Sequence, residues 1–208
     1  TRMARIRSSF RPASRDSISR GMRHKYSTET IVLSRAPVAE ESALLTLLTR
    51  EMGLVRARAQ GIRKPGAKLA SALATFAEAD AILVAGTEGW RVSGSLLREN
   101  WFRALPRMAR LRAGRVASLI LRLVHGETPD PALFDTFKAF LSALAEFPES
   151  LHDAAECLAA LRVLSALGLD AGELPDDGLF TKESLALVSE NRSAYISRVN
   201  RGIAASGL

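Results

Sequence analysis

The sequence predicts an α+β protein, a small antiparallel β-barrel followed by an α-helical region. Five short β-type segments fall between residues 28 and 97. The connections between them leave no room for crossover helices, so the strands close on their neighbours. From residue 100 onward the apolar residues recur with a helical period.

The first strand covers 28–35, a β-branched run closed by Ala36-Pro37. Residues 42–50 form the second. Their leucines would suit a helix equally, but Thr46, Thr49 and the Glu51-Met52-Gly53 turn favour a strand. A short glycine-containing hairpin leads to the third, 54–61, where Val55, Ala57 and Ala59 alternate with Arg56, Arg58 and Gln60. Period-two alternation sends one set inward and the other outward. Residues 76–85 and 90–97 make a second hairpin around Gly86-Thr87-Glu88-Gly89.

The change to helix falls at 98–106. Residues 108–125 place Leu111, Val116, Leu119 and Leu123 on one stripe, ended by Gly126-Glu127-Thr128-Pro129. Pro131 opens the next helix, whose Leu133, Phe134, Phe137, Phe140, Leu141 and Leu144 are core candidates. A third helix covers 149–167, with Gly168 as its stop. An acidic linker, 169–178, precedes a last helical region with Thr181 as N-cap. The expected division is a basic flexible extension over 1–24, a barrel domain over 25–99 and a helical domain over 100–208.

The charge is unevenly spread. Residues 1–25 carry eight Lys/Arg against one acid, 26–112 thirteen against eight, and 113–208 eight against thirteen. The first 21 residues hold six arginines and five serines with almost no apolar period. They read as a disordered basic arm, as an organellar transit peptide, or as sequence upstream of a natural start at Met22. Without them the net charge falls from +7 to +2, so the overall basicity says little about partners.

The local cluster says more. Arg56 and Arg58 on the third strand, then Arg63, Lys64 and Lys68 in the loop 61–69, follow one another with no acid between. Such a surface suits a polyanion, and four or five phosphate contacts give a salt slope of about −3 to −4 on single strands. Arg35 and Arg91 on neighbouring strands complete the candidate DNA-binding set. Trp90 is read either as a base-stacking aromatic or as a cap on the barrel core. Trp101 and Phe102 are expected to pack between barrel and helices. On the helical side Arg107, Arg110, Arg122 and Arg162 are the candidate partner-binding residues, with solvated surface or internal ion pairs as the alternatives.

No catalytic constellation is present, and the protein is read as non-enzymatic. Gly61 to Gly66 lacks the ending of a phosphate-binding loop, and the acids of the linker lack a calcium spacing. The single cysteine, Cys157, excludes an internal disulfide and sits in an apolar helical pattern. No cofactor or metal is expected, and no stretch of ~18 uncharged apolar residues suggests a membrane helix.

Residues 28–73 resemble the N-terminal domain of the bacterial recombination mediator RecO. The family's I-V-L strand, its L-L-T-L-x-T-x-x-x-G segment (44–53 here) and its G-x-R-K-x-x-S-K-L-like loop (61–69) occur in order, with Ala67 where a serine is usual. The similarity continues through 75–97 and through the helices to 167–170. It implies an OB-fold barrel followed by a helical domain. It also implies binding of single- and double-stranded DNA, strand annealing, and loading of recombinase onto strands coated with single-stranded-DNA-binding protein. The implied partners are a RecR-like protein and the C-terminal tail of the single-stranded-DNA-binding protein, in a nucleoid-associated, cytoplasmic bacterial setting. Many members carry a four-cysteine zinc module between the last helices. This chain has only the short acidic linker there, and is read as a zinc-free variant. The alternatives are a protein-interaction scaffold without DNA affinity and an RNA-binding barrel.

Overall fold

Alternating strands and amphipathic helices assemble in the predicted order. The structure is a computed structural model that describes residues 24–39, 41–62, 70–176 and 178–207. The strands are β1 (Lys25–Ala39), β2 (Ser42–Thr49), β3 (Gly53–Ala59), β4 (Ala77–Gly86) and β5 (Gly89–Asn100). The helices are α1 (Trp101–Ala104), α2 (Arg107–Leu123), α3 (Pro131–Glu146), α4 (Glu149–Ala166), α5 (Lys182–Glu190) and α6 (Arg192–Ala205).

The strands close as a barrel in the order β1-β2-β3-β5-β4. Long β1 pairs with β2 through its second half and with β4 through its first, while β3 and β5 run parallel. That is the five-stranded Greek-key barrel of the OB-fold. β1 is longer than its sequence suggested and continues through Pro37, which pairs with Ala43 at the far end of the hairpin. A missing amide donor is tolerated at such a strand end.

Two cores result. Val32, Leu45, Leu47, Val55, Leu83 and Val92 fill the barrel, with alanines such as Ala57 and Ala81 fitting its narrow interior. The second core lies outside the barrel wall, where Ile31, Leu33, Leu48 and Phe76 pack against Phe134, Phe137 and Phe140. One flank of the barrel is therefore buried on both faces. This explains why β2 is buried without interruption from Leu45 to Thr49 and reads ambiguously in the sequence. Charges tie the seam: Glu78, only 3% exposed, accepts from Trp101 Nε1 at 3.1 Å and pairs with Lys138 at 2.6 Å. Arg50 bridges Glu29 and Asp135 at 3.2 and 2.9 Å.

The helix ends follow their local chemistry. Asp130 accepts from the Leu133 amide ahead of Pro131, and Thr181 and Ser184 form a reciprocal capping box on α5. Gly168, at positive φ, follows α4. The last helical region consists of α5 and α6, separated at Asn191. Phe102 differs from expectation: it is exposed, whereas Trp101 beside it packs on the second core.

Candidate nucleic-acid interface

The alternation on β3 puts Val55, Ala57 and Ala59 inside the barrel and leaves Arg56 and Arg58 exposed outside it. Strand pairing then decides which cations meet. Arg58 is opposite Arg91 in the parallel β3–β5 pair, Arg91 is opposite Val84 on β4, and Val84 is opposite Lys25 on β1. Paired residues share a face, so Lys25, Arg91 and Arg58 stand in one row around the outer wall. They line a depression of about 310 Å³ with Gln60 and Ser93, over buried Val84. Glu88 pairs with the row, 3.6 Å from Arg58, and is largely exposed. An exposed pair of this kind is worth about 0–1 kcal/mol and leaves Arg58 open to a stronger anion.

Arg56 lies one pleat away, opposite Thr46, which accepts from the Ser34 hydroxyl at 3.0 Å. Arg35 does not join the row. A register shift between Val32 and Ser34 inserts Leu33 as an extra residue, and Arg35 is opposite Leu45, an inward-facing position. Strict alternation from Val32 would have sent Arg35 outward; the bulge reverses its side. Arg63, Lys64 and Lys68 lie outside the described residues, as does the extension up to residue 23. Lys25 belongs to the row and escaped the sequence reading. Its only signal is the β1–β4 register that closes the barrel.

Trp90 packs against the barrel core, and its Nε1 donates to Glu127 in the α2–α3 connection at 2.7 Å. That connection crosses the barrel at a second point, over Gly53, where a Cβ would run into the Thr128 carbonyl. Gly53 also sits at φ +72°, so the turn into β3 needs glycine for two reasons.

On the helical side, α2, α4 and α6 enclose a groove of about 660 Å³. Leu111, Leu119, Ala160 and Ile203 supply apolar lining, and Arg110, Arg115 and Arg122 supply the cations. Arg110 donates to the Leu105 carbonyl at 2.9 Å and lies 4.6 Å from the Phe102 ring centre, which fixes its head at the groove's end. Arg115 bonds Glu156, which also holds Arg112 at 2.7 Å. Arg122 is exposed and makes no ion pair with any described residue. Arg107 is exposed at the start of α2, beyond the groove.

Arg162 is elsewhere and occupied. It is 4% exposed, donates to Asp176 at 2.8 Å and to the Gly178 and Leu179 carbonyls at 2.9 and 2.6 Å, and lies 4.4 Å from the Phe180 ring centre. Burial draws its pKa down, while Asp176 acts in the opposite sense. Its partner sits in the acidic linker, so this arginine organises the α4–α5 connection. Burial likewise pushes the Cys157 thiol up to about 11, which leaves almost no thiolate near neutrality. Among the described residues no group of three His, Cys, Asp or Glu is placed to hold a metal.

The family model described as "Recombination protein O N terminal" matches residues 22–93, the barrel through the start of β5. This segment matches the N-terminal domain of the RecO family. It is 31% identical over 129 residues to the DNA repair protein RecO of Cyanothece sp., an alignment covering 62% of this chain and 44% of that relative. With the DNA repair protein RecO of Acaryochloris marina it shares 35% over 124 residues, 59% and 42% of the two chains. With that of Heliobacterium modesticaldum it shares 31% over 160 residues, 71% and 56%. The chain spans about half the length of the curated relatives it matches.

Proposed function

We propose that this chain is a DNA repair and recombination mediator of bacterial cytoplasm that binds single- and double-stranded DNA along the outer wall of its barrel. The observation that carries the reading is the row Lys25, Arg91 and Arg58, three cations over one depression. Each phosphate neutralised there releases condensed counterions, and that release drives binding without reading sequence. Arg56, and in sequence Arg63, Lys64 and Lys68 after it, continue the same charge beyond the row, whereas Arg35 stands apart from it. Charge neutralisation of two strands at once is the physical basis for annealing. The names of the matched relatives, DNA repair proteins, agree with this reading.

The helical domain, residues 100–208, takes the partner role. The groove between α2, α4 and α6 combines an apolar lining with Arg110 and Arg122, and suits the acidic, apolar C-terminal tail of a single-stranded-DNA-binding protein. Arg107 extends this basic edge, and Arg162 supports the domain from inside. Docking that tail while holding DNA would bring the chain to coated strands, where it helps load recombinase together with a RecR-like protein. No helix among the described residues is long and apolar enough to cross a membrane.

The test is binding of a labelled single-stranded oligonucleotide at low salt. The reading expects micromolar or tighter binding that weakens tenfold or more in Arg58→Ala/Arg91→Ala, and is unchanged in Lys182→Ala on α5. Absence of binding by the unaltered chain would overturn the DNA reading and leave the scaffold and RNA-binding alternatives.

A further inference from the structure

We propose that Tyr26 and Trp90 form a base-stacking platform that gives the barrel its preference for single-stranded over duplex DNA. This rests on the DNA-binding reading above and adds to it how unpaired bases are engaged. Each ring is the immediate chain neighbour of a cation in the basic row: Tyr26 follows Lys25 on β1, and Trp90 precedes Arg91 on β5. The pleat sends neighbours to opposite sides of a strand. The cations therefore stand on the outer wall, and the rings stand on the inward-facing side where the strands reach the barrel's mouth. The two rings meet there, centroids 5.3 Å apart and planes at 84°.

An isolated exposed tyrosine is ordinary and needs no function. This one has more. The edge-to-face contact covers one face of one ring only, and Tyr26 remains 45% exposed. Trp90 is held from below by the barrel core and from the side by its 2.7 Å hydrogen bond to Glu127. The wall on which Tyr26 leans is thus fixed before any ligand arrives, so stacking orders little that was free. Charge also sets a direction across the platform. Lys25, Arg58 and Arg91 line the depression, and the exposed Glu127 carboxylate is not among its lining but sits on the Trp90 ring nitrogen. A strand is therefore drawn with its phosphates toward the cations, and its bases fall on the rings. Bases inside a duplex have both faces occupied by their neighbours, whereas unpaired bases offer a π-face to an aromatic side chain.

The experiment compares three ligands on the full chain: a short oligothymidylate, a duplex of equal length, and inorganic polyphosphate. Tyr26→Ala is expected to weaken oligothymidylate binding about five- to a hundredfold, the loss of one stacked base. Polyphosphate affinity and the salt slope should not change, because no cation is removed, and Tyr26→Phe should restore binding. In Trp101→Phe, Trp90 is the remaining tryptophan of the two in the chain, and its emission should be quenched by oligothymidylate but not by polyphosphate. Oligothymidylate binding that is untouched by Tyr26→Ala would overturn the platform and leave the DNA reading intact. Equal weakening for polyphosphate would assign Tyr26 a structural role and also overturn it. Failure of the unaltered chain to bind any of the three at low salt would overturn both.

Discussion

Replacing Arg162 by Met removes one side chain that serves four groups at once. Its guanidinium bonds Asp176 and the carbonyls of Gly178 and Leu179, and lies against the Phe180 ring. Breaking a buried ion pair from one side costs about 3–5 kcal/mol, mostly because the other charge is stranded. Asp176 keeps 22% of its side chain exposed and can rehydrate in part, so the lower end applies, about 3 kcal/mol. With a urea dependence of about 2 kcal/mol per molar, the unfolding midpoint should fall by roughly 1.5 M. Arg162→Met/Asp176→Asn should recover part of this loss, since the stranded charge is gone but the two carbonyls remain unpaired. The Gly178 amide, which donates to Asp176 at 3.1 Å, should lose protection from hydrogen exchange in the single variant. A change below about 0.5 kcal/mol, the size of an ordinary surface substitution, would refute the assignment of Arg162 as the organiser of the connection.

Three further outcomes are expected. The Arg198 guanidinium, bonded at 2.5 Å, holds the Asp170 carboxyl below its usual range. A depressed carboxylate contributes stability above its unfolded pKa of about 4 and loses it as pH falls through the folded value. Thermal melts between pH 7 and pH 3 should therefore show a steeper acid loss in the unaltered chain than in Asp170→Asn. Gly53→Ala should lower the melting temperature, because its φ is positive and its Cβ would meet the Thr128 carbonyl; an unchanged melt would mean that the connection does not press on the barrel. Glu88→Gln frees Arg58 of its only ion-pair partner among the described residues and should raise single-strand affinity by up to about fivefold, read by fluorescence anisotropy.

Much of the architecture was legible because it is written in local patterns. The Val55, Ala57, Ala59 alternation put Arg56 and Arg58 on the outer wall, Pro131 and the three phenylalanines marked α3, and Thr181 marked the start of α5. What stayed hidden depends on long-range register. The parallel pairing that sets Arg58 beside Arg91, and the barrel closure that brings in Lys25, join residues far apart in the chain. One extra residue at Leu33 reversed the side of Arg35, and no local pattern announces such a bulge. The burial of Leu48 and Leu33 on the outer wall required knowing that helices would cover it. An internal ion pair was one reading of Arg162, a charge in an apolar helix, yet its partner lay only 14 residues on, in a linker whose acids seemed generic.

The measurement closest to the central claim is the salt dependence of single-stranded DNA binding for the unaltered chain and for Arg58→Ala/Arg91→Ala. If both arginines neutralise phosphates, the slope of log affinity against log salt should become shallower by about 1.4, near 0.7 for each phosphate left without its arginine. An unchanged slope, whatever happens to the affinity, would contradict the claim that this wall of the barrel holds the DNA backbone.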